Sequence, residues 1–250
     1  MEIKGVFFDI YGTLLTYGDM SAAWADWLSA FYECLKGYGL KMSKESFSLH
    51  CYEFFGKPEP SSQNDSMTIF ERRIQALCED LGLELRRQEI QMTATTAANA
   101  WQRHISLDPE AIPVLKALKK TKKVLAIISN FDHPPHIYSL LSELGLRKFF
   151  SVIVISGEVG FKKPNPQIFS LTLKQTGLRE NEVIYVGDTL EDAKGAHTAG
   201  ICPILIQRNR PNENRINLDF RSNQQVPDSE SESPSIIGST RTISKLSELM

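Results

Sequence analysis

The sequence predicts an α/β protein, a doubly wound and mostly parallel sheet with an all-helical domain inserted after its first strand. Three observations lead there. Five short runs, at residues 6–10, 124–129, 152–155, 183–187 and 202–206, are rich in β-branched residues and apolar on both faces, as a strand covered by helices on both sides must be. Amphipathic helical patterns separate most of them, at 109–119, 137–144, 166–176 and 191–199, and strands alternating with helices imply right-handed crossovers. The first gap breaks that rhythm: roughly a hundred residues separate the first two runs, and almost all of them read as helix.

Within the gap, Trp24, Trp27, Leu28, Phe31, Leu35 and Tyr38 recur at helical spacing. Met67, Phe70, Ile74, Leu77 and Leu81 form a second pattern, and a third helix is expected over 90–105. Between the first two, residues 57–65 carry two prolines among polar residues and make a loop by composition. An insertion of this size is expected to form its own domain, residues 16–105, with the aromatic stripe from Trp24 to Phe31 as its core. Residues 1–15 and 106–250 then make the second, sheet-containing domain. Near the carboxyl end, 208–235 is rich in Asn, Ser, Glu and Pro and reads as an exposed loop, its acidic stretch at 228–233 solvated. The last residues predict a short closing helix that starts at Ser244.

Composition narrows the function. Of 250 residues, 42% are hydrophobic and 23% charged, which is ordinary for a globular chain. A net charge of −2 offers no broad basic surface, so nucleic acid is not an expected partner. A small anionic substrate needs only a few local cations and stays in play. The four cysteines, Cys34, Cys51, Cys78 and Cys202, show no Cys-x-x-Cys pair and read as free buried thiols in a reducing compartment. The apolar run at the amino terminus is interrupted by Asp9 and too short for a bilayer, so neither a signal peptide nor a membrane helix is expected, and the protein reads as cytoplasmic.

Open α/β sheets bind ligands at the carboxyl ends of their strands, and four of the five predicted ends are unusual. The first runs into Asp9-Ile10-Tyr11-Gly12-Thr13 and the second into Ser129-Asn130-Phe131-Asp132. Lys162-Lys163-Pro164 follows the third, and the fourth continues as Gly187-Asp188-Thr189-Leu190-Glu191-Asp192. Three carboxylates, Asp9, Asp188 and Asp192, converging at strand ends would repel one another unless a cation neutralised them. Oxygen donors without His or Cys favour a hard ion, with Mg²⁺ the natural choice. A lysine and a serine hydroxyl beside them can hold the oxygens of an anionic substrate. One carboxylate could then attack phosphorus or carbon, leaving an enzyme ester for water to cleave.

These residues resemble the motifs of the haloacid dehalogenase superfamily, and the resemblance covers nearly the whole chain. Asp9-x-Tyr11-Gly12-Thr13 is similar to its first motif, Ser129 to its second, Lys163 before Pro164 to its third, and Gly187-Asp188-x-x-x-Asp192 to its fourth. The segments 128–132 and 163–169 are close to the branch with a helical cap after the first strand. The resemblance implies a Rossmann-like core, a mobile cap and a covalent intermediate on Asp9. It implies Mg²⁺ held by the Asp9 and Asp188 carboxylates and the Tyr11 backbone carbonyl. Lys163 and Ser129 are then catalytic together with Asp9 and Asp192, and Thr13 and Asn130 are expected substrate contacts. Lys163, directly before the proline, is the family lysine, and Lys162 is expected to face solvent.

One residue departs from the pattern. Phosphatases of the superfamily usually carry an aspartate two residues after the nucleophile as general acid, and here that position is Tyr11. A phenol with a pKa near 10 is a poor acid at neutrality, where such help is worth roughly 10²- to 10⁴-fold. The expectation is a Mg²⁺-dependent phosphohydrolase for a small phosphorylated metabolite with a good leaving group. The alternatives are a metal-independent 2-haloacid dehalogenase, whose halide needs no proton, and a regulatory protein that keeps the fold with little turnover. His133 and His136 read as surface loop histidines, and Arg72 and Arg73 as a solvated helix face.

Overall fold

The computed structural model describes residues 2–52, 54–60, 66–208 and 240–250. The chain opens with β1 (Gly5–Phe8) and β2 (Leu15–Tyr17), then runs through four helices, α1 (Met20–Gly37), α2 (Lys44–Cys51), α3 (Ile69–Asp80) and α4 (Arg87–Gln102). It returns through β3 (Ile105–Leu107) into α5 (Ala111–Lys120), β4 (Val124–Ser129), α6 (Pro134–Glu143), β5 (Val152–Ile155) and the one-turn α7 (Ser156–Val159). There follow α8 (Pro166–Thr176), β6 (Val183–Gly187), α9 (Leu190–Thr198), β7 (Cys202–Ile206) and β8 (Arg241–Ile243). Among the described residues six strands pair in the order β5-β4-β1-β6-β7-β8, all parallel. The expected α/β fold with a Rossmann-like sheet is therefore observed.

Double winding follows from the two-residue period of a strand. In β1, Val6 and Phe8 face one core with Leu125 and Ile127 of β4, while Phe7 faces a second core with Ala126 and Ile128. α5 and α6 cover the first face through Val114, Leu115, Ile137 and Leu140. α8 and α9 cover the second through Ile168, Phe169 and Ala196. Both faces are covered by helices, which is why the sequence shows apolar runs rather than alternation.

Several boundaries differ from the sequence reading, each for a local reason. β1 stops at Phe8 rather than residue 10 because Ile10 closes a turn: its carbonyl accepts from the N–H groups of Thr13, Leu14 and Leu15 at 3.3, 2.9 and 2.9 Å. The third insertion helix ends at Gln102, not 105. Ile105 instead enters β3, which pairs antiparallel with β2 as a two-stranded ribbon, so the chain leaves for the helices and returns from them through neighbouring strands. α2 was unexpected because only Phe47 and Cys51 of its eight residues are buried. β8 was missed for the same reason, since Ile243 alone among its three residues is buried. The closing turn is a 3-10 helix at Leu246–Leu249, and Ser244 lies outside it, bonded through its backbone N–H and hydroxyl to Glu248 Oε1. The expected loop at 208–235 falls from residue 209 onward outside the described residues, as do 61–65 of the loop at 57–65. Cys51 and Cys78 are buried, and burial pushes their thiols up to about 12. Cys34 is half-buried, while Cys202 is exposed at the start of β7, contrary to the expectation of buried thiols throughout. Among the described residues no helix is long and apolar enough to cross a membrane.

The helical segment packs around Trp27, which is fully buried and meets the rings of Phe31, Phe54 and Phe55 at 5.2, 5.7 and 5.5 Å. Its α3 docks on the loop after β4. Thr68 caps α3 in a reciprocal pair with Glu71 and also meets His133 Nδ1 at 3.0 Å. The Phe70 N–H donates to the Asp132 carbonyl at 3.1 Å, and Arg73 Nε reaches Asp132 Oδ2 at 3.3 Å. Arg73 is thus buried in an ion pair rather than solvated, and His133 and His136 are buried rather than on the surface. The reason is the docking itself, which brings Phe70 of α3 to 5.7 Å from the His133 ring and Gln102 of α4 to 3.2 Å from His136 Nε2.

Burial holds both imidazoles down at about 4, with the neighbouring His136 adding to the effect on His133. An unfolded histidine titrates near 6.5, so between these values the unfolded chain binds more protons. Stability is therefore complete above about pH 6.5 and declines as pH falls towards 4, by roughly 3 kcal/mol per histidine. Urea unfolding between pH 7.5 and 4.5 should show this slope, and His136→Asn should flatten it; an unaltered slope in that variant assigns it to other groups.

Candidate active site

β1 lies between β4 and β6, and the chain steps outward to β4 and β5 before crossing back to β6. The winding reverses beside β1, and such a switch point opens a crevice at the carboxyl ends of the strands. Parallel strands put all their carboxyl ends on one edge, so Asp9 after β1, Ser129 at the end of β4 and Asp188 after β6 share that edge. Phe8 is level with Ile127 and Val186 in the register, which sets Asp9 level with Ile128 and Gly187.

Lys163, from the connection between α7 and α8, sits at the centre. Its Nζ lies 3.0 Å from Asp9 Oδ1, 2.6 Å from Asp192 Oδ1 and 3.0 Å from the Tyr185 hydroxyl. Asp192 is saturated: besides Lys163, Oδ1 accepts from Tyr185 at 2.8 Å, and Oδ2 accepts from the N–H groups of Asp188 and Thr189 and the Thr189 hydroxyl at 3.1, 3.0 and 2.7 Å. Asp192 thereby fastens Lys163 on one side and the Asp188 loop on the other, helped by its place in the first turn of α9. Asn130 performs a related task. Its amide accepts from the Lys163 N–H at 2.9 Å and donates to the Lys163 carbonyl at 3.0 Å, so this expected substrate contact orients the lysine backbone.

Carboxylate oxygens of Asp9, Asp188 and Asp192 lie within 4.8 Å of one another. Three carboxylates and one ammonium leave a formal charge of −2 in a site where Asp9, Asp192 and Lys163 are 1%, 1% and 5% exposed. An oxygen-only donor set with that surplus fits a hard divalent cation, with Asp9 and Asp188 as its carboxylates because Asp192 is already committed. Glycines make the room. A Cβ at Gly12, which has φ +78°, would fall 1.9 Å from Asp188 Oδ2, and one at Gly187 would fall 2.4 Å from Asp192 Cγ.

A family model described as haloacid dehalogenase-like hydrolase matches residues 3–200. The chain belongs to that family. It is 34% identical over 128 residues to a glyceraldehyde 3-phosphate phosphatase of Methanopyrus kandleri, a stretch covering 50% of this chain and 52% of that one. The chain spans about half the length of the first curated relatives it matches. Among solved structures, a HAD phosphatase from Thermococcus onnurineus superposes with TM-score 0.62 at 22% identity, covering 99% of this chain and 96% of that one. A 2-haloacid dehalogenase from Pseudomonas syringae gives the same TM-score at 21% identity with the same coverage. Fold similarity therefore does not separate the two chemistries, and the site has to.

In this haloacid dehalogenase-like hydrolase Tyr11 stands two residues after Asp9. Its hydroxyl donates to Gln102 Oε1 at 2.9 Å, and its ring is buried against Phe131 and Trp101 at 5.4 and 5.1 Å. Gln102 Oε1 also faces His136 Nε2 at 3.2 Å, so this oxygen receives both donors. Thr13, an expected substrate contact, is fully buried. Lys162 does not face solvent freely: it pairs with Glu59 and with Asp132 Oδ1, the latter at 3.1 Å. The sequence reading passed over Tyr185, which sits in an aliphatic strand and whose only signal was a phenol on a fully covered sheet face.

Gly12→Ala should lower stability by at least ~1–2 kcal/mol through left-handed strain alone, with the Asp188 collision added. Urea denaturation and turnover of the variant measure both effects; a wild-type result in each would show that the turn relaxes around a side chain.

Proposed function

We propose that this chain is a Mg²⁺-dependent phosphohydrolase in which Asp9 attacks phosphorus and carries the phosphoryl group as an aspartyl phosphate. The observation that supports it most directly is Lys163 held between Asp9 and Asp192 in a buried cluster with two surplus negative charges. Lys163 keeps Asp9 ionised and aligned, and together with Ser129 it holds the oxygens of the transferred group. Asp9 Oδ forms a bond to phosphorus as the bond to the leaving group breaks with its electron pair. Water then attacks the phosphorus of the aspartyl phosphate, inorganic phosphate departs and the carboxylate is restored. Mg²⁺ on Asp9, Asp188 and the Tyr11 carbonyl would supply charge neutralisation for the phosphoryl oxygens. Relatives named as phosphatases support this reading.

The Tyr11 hydroxyl is directed to Gln102, and an alcohol leaving group would need a proton from that position. The substrates are therefore small phosphorylated metabolites whose leaving groups depart as stable anions, such as acyl phosphates. Residues 16–105 serve as a cap on the core of 1–15 and 106–250, with the β2–β3 ribbon as the joint. Free thiols, one of them exposed, suit a reducing compartment such as the cytoplasm. Tyr11 also favours a second reading, a 2-haloacid dehalogenase, because a halide needs no proton. Asp188 and the charge surplus count against it.

Phosphate release from acetyl phosphate and alkyl phosphates, with and without Mg²⁺, should run beside chloride release from 2-chloropropionate. The expected result is Mg²⁺-dependent phosphate release, about 10²-fold or more faster for the acyl phosphate, abolished in Asp9→Asn with an unchanged circular-dichroism spectrum. Chloride release that persists after EDTA treatment would replace this reading with the dehalogenase.

A further inference from the structure

Arg208 follows β7, beyond the residues matched by the family model and outside all four motifs. Its guanidinium nonetheless reaches back to the turn behind the nucleophile. Nη1 donates to the Gly12 carbonyl, and Nη2 donates to the Thr13 carbonyl at 2.6 Å and to Asp108 Oδ2 at 2.7 Å. Asp108 is itself fixed: its N–H donates to the Leu14 carbonyl at 3.0 Å, and its Oδ1 accepts from the Glu110 N–H at 2.7 Å. One planar fork thus ties together the nucleophile turn, the connection returning from β3 and the end of β7.

The turn needs an external restraint. Its three N–H groups at Thr13, Leu14 and Leu15 all converge on the Ile10 carbonyl, while the carbonyls of Gly12 and Thr13 find their partner in Arg208. Gly12 is in the left-handed region at φ +78°, and a glycine has many other conformations to visit when nothing holds it. Rotation at Gly12 would swing the Tyr11–Gly12 peptide, whose carbonyl the proposed function assigns to Mg²⁺. Only a planar guanidinium presents enough donors in one plane to span two carbonyls and a carboxylate.

We propose that Arg208 is a positioning residue for the cation site, acting through the Gly12 and Thr13 carbonyls to hold the Tyr11 carbonyl and Asp9 in ligating geometry. This rests on the Mg²⁺ reading above. Isothermal titration of Mg²⁺ into the full chain tests it without any substrate, using wild type, Arg208→Ala, Arg208→Lys and, as a control, Arg241→Ala, which removes an exposed arginine bonded to the Glu248 carbonyl. Arg208→Ala should bind Mg²⁺ about tenfold or more weakly, Arg208→Lys should recover only part of the loss, and Arg241→Ala should match wild type. Millimolar guanidinium should strengthen Mg²⁺ binding in Arg208→Ala and leave wild type unaffected, a rescue that general destabilisation would not show. A folded Arg208→Ala with affinity within about twofold of wild type overturns the proposal, as does an equal loss in Arg241→Ala. Should Arg208→Ala fail to fold, wild-type affinity in Arg208→Lys overturns it instead. Wild type that binds no Mg²⁺ removes this inference and the metal reading together, whereas binding by wild type and Arg208→Ala alike removes this inference alone.

Discussion

The ammonium of Lys163, held 3.0 Å from Asp9 and 2.6 Å from Asp192 where all three side chains are almost wholly buried, is the contact on which the rest of the site depends. Burying one carboxylate costs several kcal/mol unless it is paired and hydrogen-bonded, and here three approach each other. Lys163 meets part of that cost, and the four further hydrogen bonds on Asp192 meet more. Asn130 fixes the lysine backbone and Tyr185 its head, so the cation cannot drift to relieve one carboxylate at the expense of another. What stays unbalanced is the negative charge shared by Asp9 and Asp188. The site is built around that remainder, and a divalent cation or the transition-state charge arrangement it supports is what the remainder suits.

The same constraint explains why the helical segment docks so closely. Electrostatic preorganisation is strongest when water is kept out, and α3 seals the loop after β4 with Thr68, Phe70 and Arg73. Asp132 joins the two halves by accepting Arg73 from α3 at one oxygen and Lys162 from the core at the other. Lys162 therefore works at the seam while its neighbour Lys163 works inside. Two buried neutral histidines complete the seam. Their neutrality lets them pack against Phe70 and Phe131 without bringing a further charge near the carboxylates.

Sheet and motifs were legible in the sequence because each depends on local pattern. β4, β5, β6 and β7 begin and end where their apolar runs do, Asp9 and Asp188 stand at strand ends, and Lys163 and Asp192 reach them from a connection and from the first turn of α9. The short elements were not legible. β2, β3 and β8 have three residues each, too few for a period to register, and they form because distant partners are waiting for them. Burial of His133 and Arg73 was likewise hidden, since it comes from α3 settling on a loop some sixty residues away, and that of His136 because its partner Gln102 ends α4. Tyr185 and Arg208 were missed for a related reason. Arg208 acts across the fold on residues with which it shares no sequence neighbourhood, and Tyr185 lies just ahead of the fourth motif while its contacts with Lys163 and Ile128 cross the fold.

Tyr11 shows how these levels meet in one residue. Its backbone belongs to the turn after Asp9, two positions on, while its ring packs against Phe131 of the β4 loop, Trp101 of α4 and Tyr17 of the ribbon. An aspartate at this position could not make those contacts, because a carboxylate against three aromatic rings would lose its hydration with nothing in return. The phenol can, since its one polar atom finds Gln102 at the end of α4. The tyrosine therefore exchanges a proton donor for a packed joint between core and helical segment, and the direction of its hydroxyl makes the exchange complete: the hydrogen that could have served a leaving group is held by the amide of Gln102. A hydrolase with this joint gains a firmly docked helical segment, and under the proposed mechanism it is confined to leaving groups that need no proton.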